Sequence, residues 1–435
     1  MIVAVAGFGL MGCHNGKYSV GGTLTGLTGR GLVLQDNLGN NLSLTGNGTF
    51  VFSDGVKNGD AYSVTVETQP SDPAQTCTVH NGSGTIDKAD ITNVIVSCTQ
   101  PGLFAYVANR LSNSISAYVI DSTTGYLTAV AGSPFTSTGA APVSLVVDPN
   151  GNYLYVANNG SNTVSVYAID SSSGVLTSAG LGSPTGSSPD AVVVDPTDSY
   201  VYVANFASNS VSAYAINSST GLLTEISTSP FAVGTGPSAL RIDPNDNFLY
   251  VTNFTDGDVS VLAIDPTTGA LTEISGSPFG AGTGPLSIAI DPTDSFAYVA
   301  NGTSDSISQY LLNSTTGALT AVSGSPLATS SSPQALVADP AGRYVYAANV
   351  TSNNEVAAYS ITPSTGALTL SGSPIAAGVL PASLAIDPSG LFAYVANENS
   401  NDISVYAVDP TTGVLTPVSG SPFAADSGPR SIAID

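Results

Sequence analysis

Side chains able to do acid–base, nucleophilic or metal chemistry are scarce in this chain and unevenly placed. Of its 435 residues only 9% are charged, with 31 Asp plus Glu against eight Lys plus Arg and a net charge of −23. Both histidines, His14 and His80, and all three cysteines, Cys13, Cys77 and Cys98, fall in the first hundred residues. Beyond them there is no lysine, and Glu225, Glu273, Glu355 and Glu398 are the only glutamates. A hydrolase in that long region could in principle use Glu or Asp as its base. Asp256-Gly257-Asp258 is only a fragment of a calcium-loop pattern and is read here as an ordinary hairpin, so no metal or other cofactor is expected, calcium being the one alternative. Nucleic acid is excluded as a partner, because neutralising phosphates takes clustered Lys and Arg.

The elements that must position these groups repeat. A Tyr-(Val/Ala)-(Ala/Thr)-Asn core starts at Tyr106, Tyr155, Tyr202, Tyr250, Tyr298, Tyr346 and Tyr394, at spacings of 49, 47, 48, 48, 48 and 48 residues. Each core is followed by a turn, an alternating strand, a Gly-centred hairpin, a Ser-Pro step and a short strand running from proline to aspartate. No stretch shows the 3.6-residue apolar period of a helix. Four strands per repeat of this length predict an all-β, seven-bladed β-propeller. The first core has no proline strand before it, and the last proline strand, ending at Asp435, has no core after it. The segment Arg430 to Ile434 is therefore expected to complete the first blade, removing two open sheet edges.

Positions shared by all copies serve the architecture, and positions that differ can build a site. The core Asn is read as a turn residue bonding backbone groups. The second residue after each strand proline is always small (Ser144, Ala191, Ala239, Ser287, Ala335, Ser383, Ser431), which is read as packing at the axis. On the same rim the residue after the proline varies: Val143, Asp190, Ser238, Leu286, Gln334, Ala382 and Arg430. So does the residue after the core Asn: Arg110, Asn159, Phe206, Phe254, Gly302, Val350 and Glu398. The candidate axial site is thus Arg110, Arg430, Glu398, Asp190 and Gln334, with Phe206 and Phe254 on the same rim. Arg110 and Arg430 share a blade once the ring closes and Glu398 belongs to its neighbour, so an ion pair across the closing seam is the preferred reading of those three.

Residues 17–99 read as short alternating strands with turns such as Asn47-Gly48 and Asp54-Gly55 between them, predicting a small β-sandwich. Residues 100–102 are the expected linker and 103–435 the propeller. Cys77 and Cys98 lie near the ends of two strand-like segments, QTCTVHN and TNVIVSC, where a cross-sheet disulfide could form. Such a bond persists only outside the reducing cytosol. Residues 1–13 end in Leu10-Met11-Gly12-Cys13, which resembles the lipobox of bacterial lipoproteins. That resemblance implies an exported chain, on a membrane or cell surface through lipid on Cys13 and otherwise extracellular. The sandwich resembles the immunoglobulin-like domains of bacterial surface lipoproteins.

The cores YVAN, YVAN, YVAN, YVTN, YVAN, YAAN and YVAN resemble the YVTN repeat family of lactonase-like seven-bladed propellers. That group mixes lactone-processing enzymes with cell-surface proteins of no known activity. Active relatives are associated with His, Arg and Glu at the centre, and no propeller position here matches the histidine. The Ser-Pro loops are short and small-residued, so they build little pocket wall. The expectation is a non-catalytic, lipid-anchored platform for an extracellular protein or glycan, without appreciable lactonase activity. A lactone hydrolase using an axial carboxylate or metal-bound water is the alternative.

Overall fold

The computed structural model describes residues 16–27, 29–37, 39–71, 75–99, 102–350 and 354–435, so Cys13 and His14 lie outside the described residues. The chain divides into two compact units, Met1–Pro101 and Gly102–Asp435. Every element of three residues or more is a strand.

In the first unit two four-stranded sheets share one core. One sheet runs Gly48–Val51, Val20–Thr25, Ile91–Thr99, Thr76–His80, and the other Asn40–Leu44, Leu32–Asp36, Ala61–Thr68, Ser83–Thr85. Alternate residues such as Leu32, Leu34, Val94 and Val96 point inward and are fully buried, as a period of two requires. Cys77 and Cys98 form a disulfide. They face each other on neighbouring antiparallel strands of a single sheet, so the bond is cross-strand rather than cross-sheet.

The second unit is a ring of seven blades. Each sheet runs from a proline strand through the Tyr-Asn strand and the alternating strand to a three-residue strand, as in Pro142–Val147, Tyr153–Asn158, Thr163–Ile169 and Leu176–Ser178. A two-residue strand such as Phe135–Thr136 also pairs with the alternating strand, an addition to the four expected. The inner strand of the first blade is Pro429–Ile434, antiparallel to Phe104–Asn109 with Tyr106 opposite Ala433 and Val107 opposite Ile432. The closing strand is where the repeat count puts it.

Successive blades are joined by apolar clusters and by latches built from the repeat itself. Tyr106, buried completely, donates its hydroxyl hydrogen to the carbonyl of Gly174 in the next blade. Tyr155, Tyr202, Tyr250 and Tyr298 do the same to Gly221, Gly269, Gly317 and Gly366, and Tyr394 reaches round to Gly125 of the first blade. Those glycines have positive φ, and a Cβ on Gly174 would meet the Phe104 ring at 2.4 Å. Hairpin geometry and close packing both demand glycine there. The core Asn is fully buried. Asn109 Nδ2 donates to the hydroxyls of Ser114 at 3.1 Å and Ser116 at 2.9 Å, while Asn158 Nδ2 also reaches the backbone carbonyls of Val156 at 3.2 Å and Thr163 at 3.3 Å, so the amide serves both backbone and side chains.

Candidate functional site

Seven inner strands converge on the axis and enclose a cavity of about 270 Å³ to which all of them contribute. This lies just below the usual range for ligand pockets, about 300–1,000 Å³, and suits a monosaccharide better than a polymer. The small residues at the third strand position keep it open. They also tie strand to strand: Ser144 Oγ accepts from Val192 N, Ser287 from Leu336 N, Ser383 from Ile432 N and Ser431 from Leu145 N. Packing alone was therefore an incomplete account of these serines.

Of the expected site residues, Asp190, Gln334 and Arg430 line the cavity. Arg110 and Glu398 stand beside it at the closing seam. Glu398 is 7% exposed and receives Arg110 Nη1 at 3.2 Å on Oε1 and Arg430 Nη1 at 3.4 Å on Oε2. One carboxylate thus bridges two guanidiniums across the first and seventh blades, as the ion-pair reading holds. With both its oxygens engaged, Glu398 is a poor general base. Phe206 and Phe254 are not among the lining residues. Their rings lie 6.2 Å apart on neighbouring blades, against Gly236 and Gly284. Asp256 and Asp258 each accept a hydrogen bond, from Thr235 N at 2.6 Å and Asn253 Nδ2 at 2.7 Å, in an ordinary turn. No group of three or more His, Cys, Asp or Glu among the described residues could hold a metal ion.

Asp190 is the group on which chemistry can turn. Burial pushes its carboxyl above the ordinary value, and the lowering pull of Arg430 and Arg110 is the smaller effect. A carboxylate poised by desolvation next to cations in a cavity is the usual signature of acid–base work. Gln334 is turned by its amide, which donates to Ser332 Oγ at 2.8 Å.

One charged lining residue escaped the sequence reading. Arg241 sits at the fifth position of its inner strand, where the other six strands carry Val146, Val193, Ala289, Val337, Ala385 and Ala433. It faces the cavity three residues further along than Ser238, about 10 Å deeper at the usual strand rise. Its side chain is exposed within the channel and makes no ion pair or hydrogen bond among the described residues. Aligning the fifth positions shows it at once as the lone charge among seven.

The family model described as lactonase, 7-bladed beta-propeller, matches residues 63–183, 99–235, 226–332 and 321–428. The chain belongs to this lactonase-type propeller family. Among solved structures it is similar to a putative 6-phosphogluconolactonase from Bacteroides fragilis, at TM-score 0.69 and 20% identity over 77% of this chain and 98% of that one. A putative 6-phosphogluconolactonase from Bacteroides uniformis gives 0.69 and 20%, over 77% of this chain and all (100%) of that one. The periplasmic gluconolactonase of Pseudomonas aeruginosa gives 0.65 and 19%, over 76% and 98%. At these identities the likeness is one of fold. No curated protein matches the chain.

Proposed function

We propose that this lactonase-family propeller hydrolyses a small, negatively charged sugar lactone in its axial cavity. The observation that carries the reading is Asp190, a desolvated carboxyl facing a monosaccharide-sized space beside Arg430. In its ionised form Asp190 takes a proton from water as the water oxygen bonds to the lactone carbonyl carbon. The resulting oxyanion is stabilised by the Arg430 guanidinium. The bond from that carbon to the ring oxygen then breaks, and the proton held on Asp190 passes to the departing alkoxide, so the carboxylate is regenerated. Arg241, unpaired and lining the same cavity, is suited to the anionic end of the substrate. Asp190 fills the base's role without the histidine expected from active relatives.

Support comes also from the family match and from neighbours described as 6-phosphogluconolactonase or gluconolactonase. The test is hydrolysis of aldonolactones with and without a terminal phosphate by the purified chain, read as proton release above the uncatalysed rate. Turnover favouring the anionic lactone is expected. Background rates on all of them would return the propeller to a non-catalytic binding platform.

We further infer export and anchoring through Cys13, since the Cys77–Cys98 disulfide persists only in an oxidising compartment. Mass spectrometry of the protein from a bacterial host is expected to find diacylglycerol on Cys13. An N-terminal peptide beginning at Met1 would reject the anchor.

A further inference from the structure

The rim at the other end of the inner strands is built from Asp-Pro turns. In each, the aspartate's Oδ1 accepts from the backbone four and five residues on, as Asp148 does from Asn152 N at 2.6 Å and Tyr153 N at 2.8 Å. Asp195, Asp243, Asp291, Asp339 and Asp387 repeat this. The second oxygen is treated differently from blade to blade. Thr197, Thr293 and Ser389 give it a hydroxyl in Asp195, Asp291 and Asp387, and Arg343 lies 3.6 Å from that of Asp339. Asp148 Oδ2 and Asp243 Oδ2 are buried and receive nothing.

The third residue after each aspartate has positive φ, and Gly342 and Gly390 lean on the preceding blade's turn. At Gly342 a Cβ would stand 3.9 Å from Asp291 Oδ2. Where the chain has Gly151, Gly342 or Gly390 the seam carries one carboxylate. Where it has Asp198, Asp246 or Asp294, a second carboxylate is delivered to Asp148, Asp195 or Asp243. Asn150 Nδ2 holds Asp198 Oδ2 at 2.7 Å, and Asn245 Nδ2 holds Asp294 Oδ2 at 2.7 Å. The remaining oxygens, Asp198 Oδ1, Asp246 Oδ1 and Asp294 Oδ1, are buried with no donor. Asp148, Asp195, Asp243 and Asp294 are all at most 5% exposed.

Asp198 and Asp246 are half-buried as residues, but the unpartnered oxygens are buried in all three pairs. Two carboxylates with buried oxygens cannot face each other bare; the repulsion and the lost hydration are both large. We propose that each of these three consecutive seams holds one proton shared between its two aspartates, so that the ring is tightest in mildly acidic solution and loosens as the pH rises. Among the described residues no Lys, Arg or His forms an ion pair with these aspartates. The charged and titratable groups acting on them are further aspartates, Asp243 on Asp246 and Asp291 on Asp294, and the buried Tyr155, Tyr202 and Tyr250, with Tyr153, Tyr200 and Asp265 behind them. No third His, Cys, Asp or Glu joins any pair to make a metal-binding group among the described residues. Burial raises the carboxyls of Asp148 and Asp294, and burial with Asp195 alongside raises Asp246 to about 6. A pKa raised on folding contributes stability that is complete below the unfolded value, near 4, and is lost as the pH passes through about 6.

The decisive comparison is wild type against the triple variant Asp198→Asn, Asp246→Asn, Asp294→Asn. Asparagine tolerates the left-handed backbone, and its amide supplies permanently the hydrogen that the shared proton supplies conditionally. The melting temperature of the wild type is expected to fall between pH 5 and pH 7.5. That of the triple variant is expected to be flatter with pH and higher at pH 7.5 by roughly 3–8 °C. An infrared band of protonated carboxyl at pH 5.5, lost in the variant, is the second readout. Equal pH dependence in the two proteins, or a variant less stable at pH 7.5, overturns the proposal. So does wild-type stability at pH 7.5 that rises with calcium chloride and falls with EDTA, which assigns the seams to a cation.

Discussion

A chain lacking residues 429–435 is expected to lose cooperative unfolding altogether. The deleted strand supplies the innermost edge of the first blade, opposite Ala105, Tyr106, Val107 and Ala108. It also supplies Ile432, 6% exposed, to the apolar cluster that joins the first and seventh blades, with Ile434 packed against it. Two isoleucines returned to water cost about 1.5–3 kcal/mol each. The broken ladder adds about 1 kcal/mol per hydrogen bond. Arg430 leaves Glu398 as well, stripping one of the two guanidiniums from a carboxylate that is largely buried. The sum reaches the scale of a whole domain's stability, about 5–15 kcal/mol. Ile432→Ala isolates the packing part and should cost about 2–5 kcal/mol. Urea unfolding followed by tyrosine fluorescence, in a chain with no tryptophan, reads both. A truncated chain with an unchanged midpoint would show that the ring does not depend on its closing strand.

Closure was legible in the sequence because repetition makes absence visible: six complete repeats expose the two incomplete ends. The blade count, the hairpin glycines and the structural role of the core Asn follow from the same source, each set by local geometry that recurs with the period. The site was legible only where a side chain departs from its six counterparts at a position that had been compared. Asp190, Gln334 and Arg430 were found that way. Arg241 was not, because the fifth strand position had not been aligned, although its pattern of one Arg among Val and Ala is as plain. Phe206 and Phe254 meet the same criterion and yet do not line the axial cavity, since variation alone does not measure distance from the axis. Nor does sequence record desolvation. That Asp190 is pushed up while Glu398 is tied by two arginines depends on which backbone lies between them and water.

Asp190→Asn is expected to lower the turnover number for an anionic lactone by about 10²–10⁴-fold, the usual worth of a general base. The amide keeps the shape of the carboxylate and cannot take the proton from water. The wild-type rate should rise with pH, because the ionised carboxyl is the working form. Burial places that rise above the ordinary aspartate range near 3.9. The variant should lose the titration along with the rate, an outcome that misfolding does not mimic when its melting temperature is retained. Arg241→Met separates binding from chemistry. A hydrogen bond to a charged group contributes about 1.5–3 kcal/mol, so KM for a phosphorylated or carboxylated lactone should rise by about 10–100-fold. The turnover number should change little, and a neutral lactone should be unaffected. Initial rates against pH and substrate concentration for the three proteins give all of these quantities. A pH profile shared by wild type and Asp190→Asn would remove Asp190 from the reaction, and equal KM shifts on charged and neutral lactones would remove Arg241 from recognition of the anion.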